Sequence, residues 1–360
     1  MNIGIISQIK EKNIAGINRV TMGTVTELLK LDKNNEYYFV GKTDWLNLPL
    51  ESIPILPDMD CAIRLNYTVN SYPLDIIHSH YKAFDLNAGF SCAKILTIHD
   101  LIPLLYPKWY GNQYDYFNEV LRKCAHSADV VIAVSQYTKN DIVEHYRIKE
   151  EKIKVVYNGL YPADLFGEVK QCEAVTYLEN QRFILSVSGI SPHKNQLALV
   201  EAFLLYKQRN PNDDVKLLLT GPIRQYQVVR DILEKYKEIT DSIVFTGYVS
   251  DEQLVWIYQK ALSFIYVSIY EGFGLPILEA LSLGKAVICS NVTSMPEVGG
   301  DAVEYCNPHD IESIADAIEH VVSDDVYRRE LESKAIIQAN KFSYKKTAEQ
   351  TLEIYKSFVK

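Results

Sequence analysis

Short apolar runs alternate with longer helical patterns along the 360 residues of this chain, and this alternation restricts the fold more than any other feature. Apolar runs separated by helix-length segments are typical of parallel βαβ units. In chain order the runs are IGIIS, YYFVG, DIIHSH, KILTIHD, DVVIAVS and IKVVYNG, followed by RFILSVSG, VKLLLTG, SIVFTGY, LSFIYVS and AVICS. We therefore predict an α/β protein with one parallel sheet from each series.

The stretch between the two series, residues 158–181, contains Gly and Pro and has no clear period, so we place the domain boundary there. We expect domains at 1–165 and 175–342, followed by a final helix in 343–360 that Ser343 caps. Two α/β halves that face each other leave a cleft between the carboxyl edges of their sheets, where such sheets bind ligands.

Composition excludes several classes of function. The formal net charge of −9 argues against nucleic acid as a partner, because phosphate backbones are bound through clustered Lys and Arg. The N-terminus is too short in its apolar part for a signal peptide, and no apolar run approaches the roughly 20 residues that span a bilayer. We expect a cytoplasmic protein. Its six cysteines lack CxxC spacing, which predicts reduced, mostly buried thiols rather than a zinc site or disulfides.

The segment SIYEGFGLPILEALSLG, residues 268–284, has the composition of a phosphate-binding loop. It follows a predicted strand, and Pro276 suits the first turn of a helix, where its missing N–H has no cost. Glycines let the backbone approach a ligand, and the amides at a helix N-terminus favour an anion. We therefore predict that the amides of Phe273, Gly274 and Leu275 bind phosphate.

Two glutamates, Glu271 and Glu279, flank this loop. Carboxylates beside a pyrophosphate would repel it, so we expect each to point past the phosphates at hydroxyl groups. A nucleotide-sugar offers hydroxyls on both sides of its diphosphate, on the sugar and on the ribose. The alternative is an amphipathic turn with surface glutamates, since a lone glycine-rich loop is a weak signal.

The spacing Glu271 to Glu279 resembles the E-x7-E motif of retaining glycosyltransferase family 4, in its bacterial mannosyltransferase-like branch. Further segments resemble that family in order and spacing: AGINRV (15–20), TIHDLIPLLYP (97–107), ADVVIAVSQYTKNDI (128–142), VSGISPHKNQLALVEAF (187–203), TGYVSDEQLVWIY (246–258) and SNVTSMPEVGGDA (290–302). The resemblance implies the GT-B fold of two facing Rossmann-like domains. It makes 1–165 the acceptor-side domain and 175–342 the nucleotide-sugar domain, with 343–360 crossing back to the N-domain.

Carried over to this chain, the resemblance assigns Glu271 to the hydroxyls of the transferred sugar and Glu279 to the ribose. Lys194 matches the lysine that neutralises the diphosphate. A fixed cation suits this role because negative charge develops on the diphosphate as its bond to the sugar breaks. His99 matches a histidine directed at the sugar, and Gly16 a loop glycine that approaches it.

The chain departs from the family at one cation. Many members have an arginine shortly before the lysine, whereas this chain has Ser188 and Gly189 there. Arg224 is our candidate for the second cation, although an ordinary exposed loop arginine fits that position as well.

Four further polar residues are open to more than one reading. Asn18 and Arg19, beside the first glycine loop, are candidates to face the acceptor. His78 and His80 share one face of a strand, as metal ligands can, but no third ligand is in view, so we interpret them as structural or cleft-lining.

The implied activity is retaining transfer of a hexose, with GDP-mannose favoured, to a saccharide or lipid-linked oligosaccharide. No cofactor and no obligatory metal are implied, and a lipid-linked acceptor would bring weak peripheral contact with the inner membrane surface. A UDP-hexose or UDP-N-acetylhexosamine stays open. The alternatives are a metal-dependent transferase using the D-x-D of residues 58–60, a sugar-nucleotide epimerase of the same fold, or a non-catalytic subunit of a glycosylation complex.

Overall fold

The computed structural model describes residues 1–6, 16–40, 55–56, 74–80, 92–160, 169–189, 191–221, 234 and 241–358. The chain forms two compact α/β units. The N-terminal unit comprises Met1–Leu160 and Phe342–Lys360, and the C-terminal unit comprises Tyr161–Lys341. The chain passes between them inside the boundary segment 158–181 and returns just before the last helix.

The N-terminal unit contains a seven-stranded parallel sheet in the order β3-β2-β1-β4-β5-β6-β7. Its strands are β1 (Asn2–Ile6), β2 (Glu36–Val40), β3 (Ile55–Leu56), β4 (Ile76–His80), β5 (Ala93–Ile98), β6 (Val130–Ala133) and β7 (Ile153–Val155). Its first helices are α1 (Ile17–Leu31), α2 (Ile102–Leu105), α3 (Pro107–Tyr110), α4 (Arg122–Ser127) and α5 (Gln136–Asp141). Tyr116–Leu121 and Ile142–Tyr146 are π-helical turns that adjoin α4 and α5.

Both faces of this sheet are buried, as parallel sheets require. Alternate strand residues point to opposite faces, so Ile76 packs in one apolar core and Ile77 in the other. The first core includes residues of α1 and of the last helix, and the second includes residues of α4. The near-continuous apolar runs in the sequence are the direct result of this two-sided burial.

The C-terminal unit contains a six-stranded parallel sheet in the order β10-β9-β8-β11-β12-β13. Its strands are β8 (Phe183–Val187), β9 (Lys216–Thr220), β10 (Ile243–Gly247), β11 (Ser263–Tyr266), β12 (Val287–Ser290) and β13 (Val303–Cys306). Its helices are α6 (Gln196–Arg209), α7 (Asp251–Lys260), α8 (Leu275–Ser282), α9 (Met295–Gly299), α10 (Ile311–Ser323) and α11 (Asp325–Ala339). Side chains of α6 and α10 pack on the strands to form its core.

The last helix, α12 (Tyr344–Lys356), belongs to the N-terminal unit. The predicted cap is confirmed, because the Ser343 side chain accepts a hydrogen bond from the amide of Lys346. Tyr355 on α12 bonds to His78 on β4, with 2.6 Å between the phenol oxygen and Nδ1. Gly23 of α1 is in close contact with Tyr344, since a Cβ at Gly23 would lie 2.4 Å from that ring.

The α/β prediction is confirmed, and each of the eleven predicted runs contains a strand. Two strands were not predicted, the two-residue β3 and β13, whose run is interrupted by Glu304. The predicted thiols are confirmed at Cys92, Cys124, Cys172, Cys289 and Cys306, which are buried and form no disulfide, while Cys61 lies outside the described residues. No helix in the described part of the chain is long and apolar enough to cross a membrane.

Candidate active site

The sequence-predicted residues Lys194 and Glu271 meet at the switch point of the C-terminal sheet. In the order β10-β9-β8-β11-β12-β13, β9 and β10 lie on one side of β8, and β11, β12 and β13 lie on the other. The direction in which strands are added to the sheet therefore reverses between β8 and β11. Open α/β sheets bind ligands beyond the carboxyl ends of the strands at such a point. Lys194 lies in the connection after β8, and Glu271 in the connection after β11.

Lys194, Tyr266 and Glu271 form a closed network of three hydrogen bonds. Lys194 Nζ donates to Glu271 Oε1 at 2.7 Å and to the phenol oxygen of Tyr266 at 2.7 Å. Tyr266 donates to the same Glu271 Oε1, also at 2.7 Å. Only 19% of the Lys194 side chain and 10% of the Glu271 side chain are exposed to solvent. The site thus holds a paired cation and anion in a largely dry environment.

The charges of this network reinforce one another. Burial raises the pKa of Glu271, but the Lys194 ammonium and its hydrogen bond outweigh burial, so the pKa lies below its ordinary value. Burial lowers the pKa of Lys194, and the Glu271 carboxylate outweighs it, so the pKa is raised. Burial, followed by the charge of Glu271, raises the pKa of Tyr266. At neutral pH the network therefore contains an ammonium, a carboxylate and a neutral phenol.

The loop that contains Lys194 is tied to the loop that contains Glu271. Asn195 has a left-handed backbone, with φ 57°, and precedes the first residue of α6. Its side-chain amide donates to the carbonyls of Val267 at 3.2 Å and Pro308 at 2.7 Å. Asn tolerates this backbone region because its short polar side chain bonds locally, so the position suits this residue type.

The backbone of Glu271 is held by two neighbouring hydroxyls. Its amide donates to Thr293 Oγ1 at 3.2 Å, and its carbonyl accepts from Ser294 Oγ at 2.9 Å. Thr293 also has φ 57°, which is an outlier for a β-branched residue. Of the three non-glycine residues with positive φ in the described ranges, Arg147 lies elsewhere, and Asn195 and Thr293 adjoin this site. Backbone strain of this kind concentrates at functional sites.

The predicted phosphate loop leads directly into α8. Gly274 precedes this helix with φ 102°, a conformation that strains any residue with a Cβ. Pro276 lies in the first turn, as predicted. No described residue accepts a backbone hydrogen bond from the amide of Gly274 or Leu275.

Burial decides between the two readings of the glutamates in this segment. Glu271 is 8% exposed and Glu279, on α8, is 7% exposed. The alternative reading of surface glutamates is therefore wrong. Phe273, between the two acids, is buried as well.

The remaining predicted residues of the N-terminal unit follow the carboxyl ends of its strands. His99 comes after β5 and is buried, and burial, followed by the charge of His80, lowers its pKa to about 3. Gly16 precedes α1, is exposed, and has φ 41°. Asn18 and Arg19 lie in the first turn of α1.

His78 is bonded through both ring nitrogens, and His80 stacks on it. His78 contacts Tyr355 through Nδ1 and Thr97 through Nε2, at 2.6 Å and 2.7 Å. His80 stacks on His78 with 4.3 Å between ring centroids, and burial lowers the pKa of His80 to about 4. Within the described ranges, no group of three His, Cys, Asp or Glu is arranged to hold a metal ion.

Two predictions cannot be located. Arg224, the candidate second cation, and the D-x-D at 58–60 both lie outside the described residues.

Sequence reasoning missed three residues that the structure adds to the site, Tyr266, Thr293 and Ser294. Tyr266 stands in an apolar run that predicts a buried strand, although a phenol at the carboxyl end of such a strand is itself a signal. The two hydroxyl residues belong to SNVTSMPEVGGDA, a segment whose family resemblance predicts no role for these side chains.

Two family models match the chain. The model described as Glycosyl transferases group 1 matches residues 173–354, and the model described as Glycosyltransferase Family 4 matches residues 37–163. Together they cover parts of both units.

Several relatives with curated names are mannosyltransferases. The O-antigen chain mannosyltransferase B of Escherichia coli is 31% identical over 276 residues, which are 73% of this chain and 70% of that protein. The serotype-specific mannosyltransferase WbdA of Escherichia coli is 31% identical over 275 residues, 72% of this chain but 33% of its own length. The match thus spans about a third of WbdA.

Solved structures superpose on nearly the whole chain. Anabaena HepE in complex with UDP superposes with a TM-score of 0.77 at 19% identity, covering 99% of this chain and 100% of that one. A glycosyltransferase from Rickettsia africae superposes with a TM-score of 0.75 at 22% identity, covering 100% and 98%. The chain therefore belongs to glycosyltransferase family 4 and has the GT-B fold.

Proposed function

We propose that this enzyme transfers mannose from GDP-mannose to a saccharide or a lipid-linked oligosaccharide. Two relatives that are 31% identical over more than two thirds of the chain are named as mannosyltransferases, one of them for the O-antigen chain. The observation that carries the proposal is the buried Lys194–Glu271 pair beside the N-terminus of α8, at the switch point of the C-terminal sheet.

In this proposal the diphosphate binds at the N-terminus of α8. The amides of Phe273, Gly274 and Leu275 and the helix dipole favour its negative charge. Lys194 supplies a fixed cation at 2.7 Å from Glu271, within reach of the same loop. As the bond between the anomeric carbon and the phosphate oxygen breaks, the charge that develops on the diphosphate is stabilised by this ammonium.

The two acids bind the two ends of the nucleotide-sugar. Glu271 accepts hydrogen bonds from the hydroxyls of the mannose, and Glu279 from the hydroxyls of the ribose. Both carboxylates are buried, so folding has already removed most of their hydration. A hydrogen bond to a ligand hydroxyl therefore carries little further desolvation cost. We also assign His99 and Gly16 to contacts with the sugar, and Arg224 as the second cation.

The acceptor oxygen forms its bond to the anomeric carbon on the face that the phosphate leaves, which retains the configuration. The departing phosphate oxygen takes the proton of the acceptor hydroxyl, so the reaction balances without a further base. Where the acceptor is lipid-linked, we expect the cytoplasmic enzyme to make weak peripheral contact with the inner membrane surface.

A thermal-shift screen with GDP, UDP, ADP and their sugars tests the choice of nucleotide. A ligand that binds the folded state raises its apparent stability by RT ln(1 + [L]/Kd), so GDP and GDP-mannose should raise the Tm most. A larger shift with UDP and UDP-sugars would replace the proposed sugar-nucleotide with a UDP-hexose. A Tm that no nucleotide changes would favour a non-catalytic subunit.

Turnover assays then separate transfer from isomerisation. GDP-mannose should be consumed rapidly only when an oligosaccharide acceptor is present, and the product should keep the anomeric configuration of the sugar-nucleotide. Conversion of the sugar-nucleotide to its epimer by enzyme alone would identify an epimerase instead.

A further inference from the structure

Tyr266 is the one member of the three-residue network to which neither the sequence analysis nor the proposed mechanism gives a role. It is the last residue of β11, and it is 2% exposed. Its hydroxyl has two charged partners, accepting from Lys194 and donating to Glu271 at 2.7 Å each. Both partners are the residues proposed to act on the nucleotide-sugar.

The position of this hydroxyl is set by rigid structure. The Tyr266 backbone lies in β11 opposite Cys289 of β12, and its ring stacks on Phe264 with 6.0 Å between centroids. Polar groups mounted on paired strands are held more accurately than those on loops. Lys194 and Glu271, by contrast, both lie in connections after strands.

In the proposed function, binding of a nucleotide-sugar changes the hydrogen-bond partners of Lys194 and Glu271. In this structure Lys194 bonds to Glu271, whereas the proposed function requires the ammonium to face the diphosphate. A buried carboxylate that loses its cation is costly unless another hydrogen-bond donor keeps it ionised and oriented. The phenol of Tyr266 is a neutral group, already bonded to that carboxylate, and it needs no movement to fill this role.

We propose that Tyr266 is a positioning residue for the transfer reaction, whose hydroxyl holds the Glu271 carboxylate on the sugar while the diphosphate engages Lys194. This inference rests on the proposed function and assigns a further group to the same site. The ring packs against Phe264, and the hydroxyl orients the Glu271 carboxylate.

The test compares Tyr266→Phe with Tyr206→Phe. Both changes remove one buried phenol oxygen of the C-terminal unit and keep the ring. Tyr206, on α6, bonds to Asp213 and not to the site, so it controls for the loss of a buried hydroxyl bonded to a carboxylate. Three quantities are measured for wild type and both variants: kcat with GDP-mannose and acceptor, affinity for GDP and for UDP by calorimetry, and Tm.

Tyr266→Phe should lower kcat by about 10-fold to 100-fold, the effect of losing a hydrogen bond to a charged group. Its nucleotide affinity should stay within about threefold of wild type, because the hydroxyl acts on the carboxylate and not on the nucleotide. Tyr206→Phe should keep the wild-type kcat. A Tm loss of similar size in the two variants would support the proposal by excluding a larger structural defect at Tyr266.

Two results would overturn the inference alone, with the wild-type enzyme transferring mannose normally. One is a Tyr266→Phe variant whose kcat stays within about twofold of wild type. The other is a parallel fall in kcat and nucleotide affinity with a larger Tm loss than in Tyr206→Phe, which would indicate a structural role only. A wild-type protein that binds neither nucleotide and transfers no sugar would instead overturn the proposed function, and this inference with it.

Discussion

Lys194 and Glu271 have proposed roles on different parts of the nucleotide-sugar, yet in this structure they bond to each other at 2.7 Å. Pairing keeps each ionised in a buried site, since an isolated buried charge would be strongly destabilising. In the proposed function the diphosphate competes with Glu271 for the ammonium, and the sugar hydroxyls compete with Lys194 for the carboxylate. On that proposal, the ion pair is the resting form of two groups that the substrate separates.

Replacing Lys194 by Met tests its role on the diphosphate. The change keeps much of the side-chain stem and removes the charge, so kcat should fall by on the order of 10²–10³, as when one electrostatic stabiliser of a transition state is lost. The Tm should also fall, because Glu271 stays buried without its cation. Lys216→Met on β9, a lysine of the same unit outside the network, is the control. Near-normal turnover in Lys194→Met would show that another cation, with Arg224 the candidate, neutralises the diphosphate.

The positions of single residues can be predicted from the sequence where neighbouring residues alone determine them. Pro276 and Ser343 were placed at helix starts from their own chemistry, and both lie there. The Lys194–Glu271 pair spans 77 positions, so no local pattern could predict the contact, and only the family resemblance named both residues. Tyr266 was missed because a phenol inside an apolar run also fits a buried core.

At the scale of elements, the packing of α12 on α1 depends on a single missing Cβ. Gly23 lies in the middle of α1, where Ala would ordinarily stabilise a helix by about 1 kcal/mol. Three ring atoms of Tyr344 lie 2.4–2.5 Å from the Cβ position at Gly23, and that ring is buried. The close contact therefore outweighs helix propensity at this site.

Gly23→Ala should lower the free energy of unfolding by about 1–3 kcal/mol, the usual effect of overpacking a well-packed contact. Denaturant unfolding of wild type and Gly23→Ala measures the difference. Equal or greater stability in Gly23→Ala would mean that α12 shifts freely, which contradicts the tight packing described for it.

The elements themselves were predictable to different degrees. Eleven strands follow from apolar runs because both faces of each sheet are covered. The edge strand β13 has Glu304 and Tyr305 half-buried, so its sequence lacks the continuous apolar run of a central strand. Edge strands of this kind are determined by their neighbours more than by their own sequence.

At the scale of the whole molecule, the N-terminal unit contains an acid-sensitive core. His78, His80 and His99 are buried, and burial is the main cause that lowers the pKa of each. A histidine whose folded pKa lies below 6.5 stabilises the fold in its neutral form. That contribution is complete above the unfolded pKa of 6.5 and is lost as pH falls through 6.5 toward the folded pKa, about 4 for His80.

Stability should therefore fall between pH 7 and pH 5, by about 2 kcal/mol for His80 alone. Denaturant unfolding at both pH values measures the change, and His80→Gln should reduce the pH dependence by removing one titrating group. His309→Gln, an exposed histidine of the C-terminal unit, is the control. The same pH dependence in His80→Gln as in wild type would contradict a buried neutral His80.

The central claim is that Glu271 acts on the sugar and Glu279 on the ribose, and comparison of Glu271→Gln with Glu279→Gln tests it most directly. Each variant is assayed for kcat with GDP-mannose and acceptor, and for GDP affinity by calorimetry. The ribose changes little during the reaction, so Glu279→Gln should weaken GDP binding by about 1–3 kcal/mol with a small effect on kcat.

The sugar gains positive charge as its bond to phosphate breaks, so a nearby carboxylate is worth more in the transition state than before it. Glu271→Gln should lower kcat by on the order of 10² or more and leave GDP affinity within about threefold of wild type. The reverse pattern, with kcat controlled by Glu279 and GDP affinity by Glu271, would contradict the assignment.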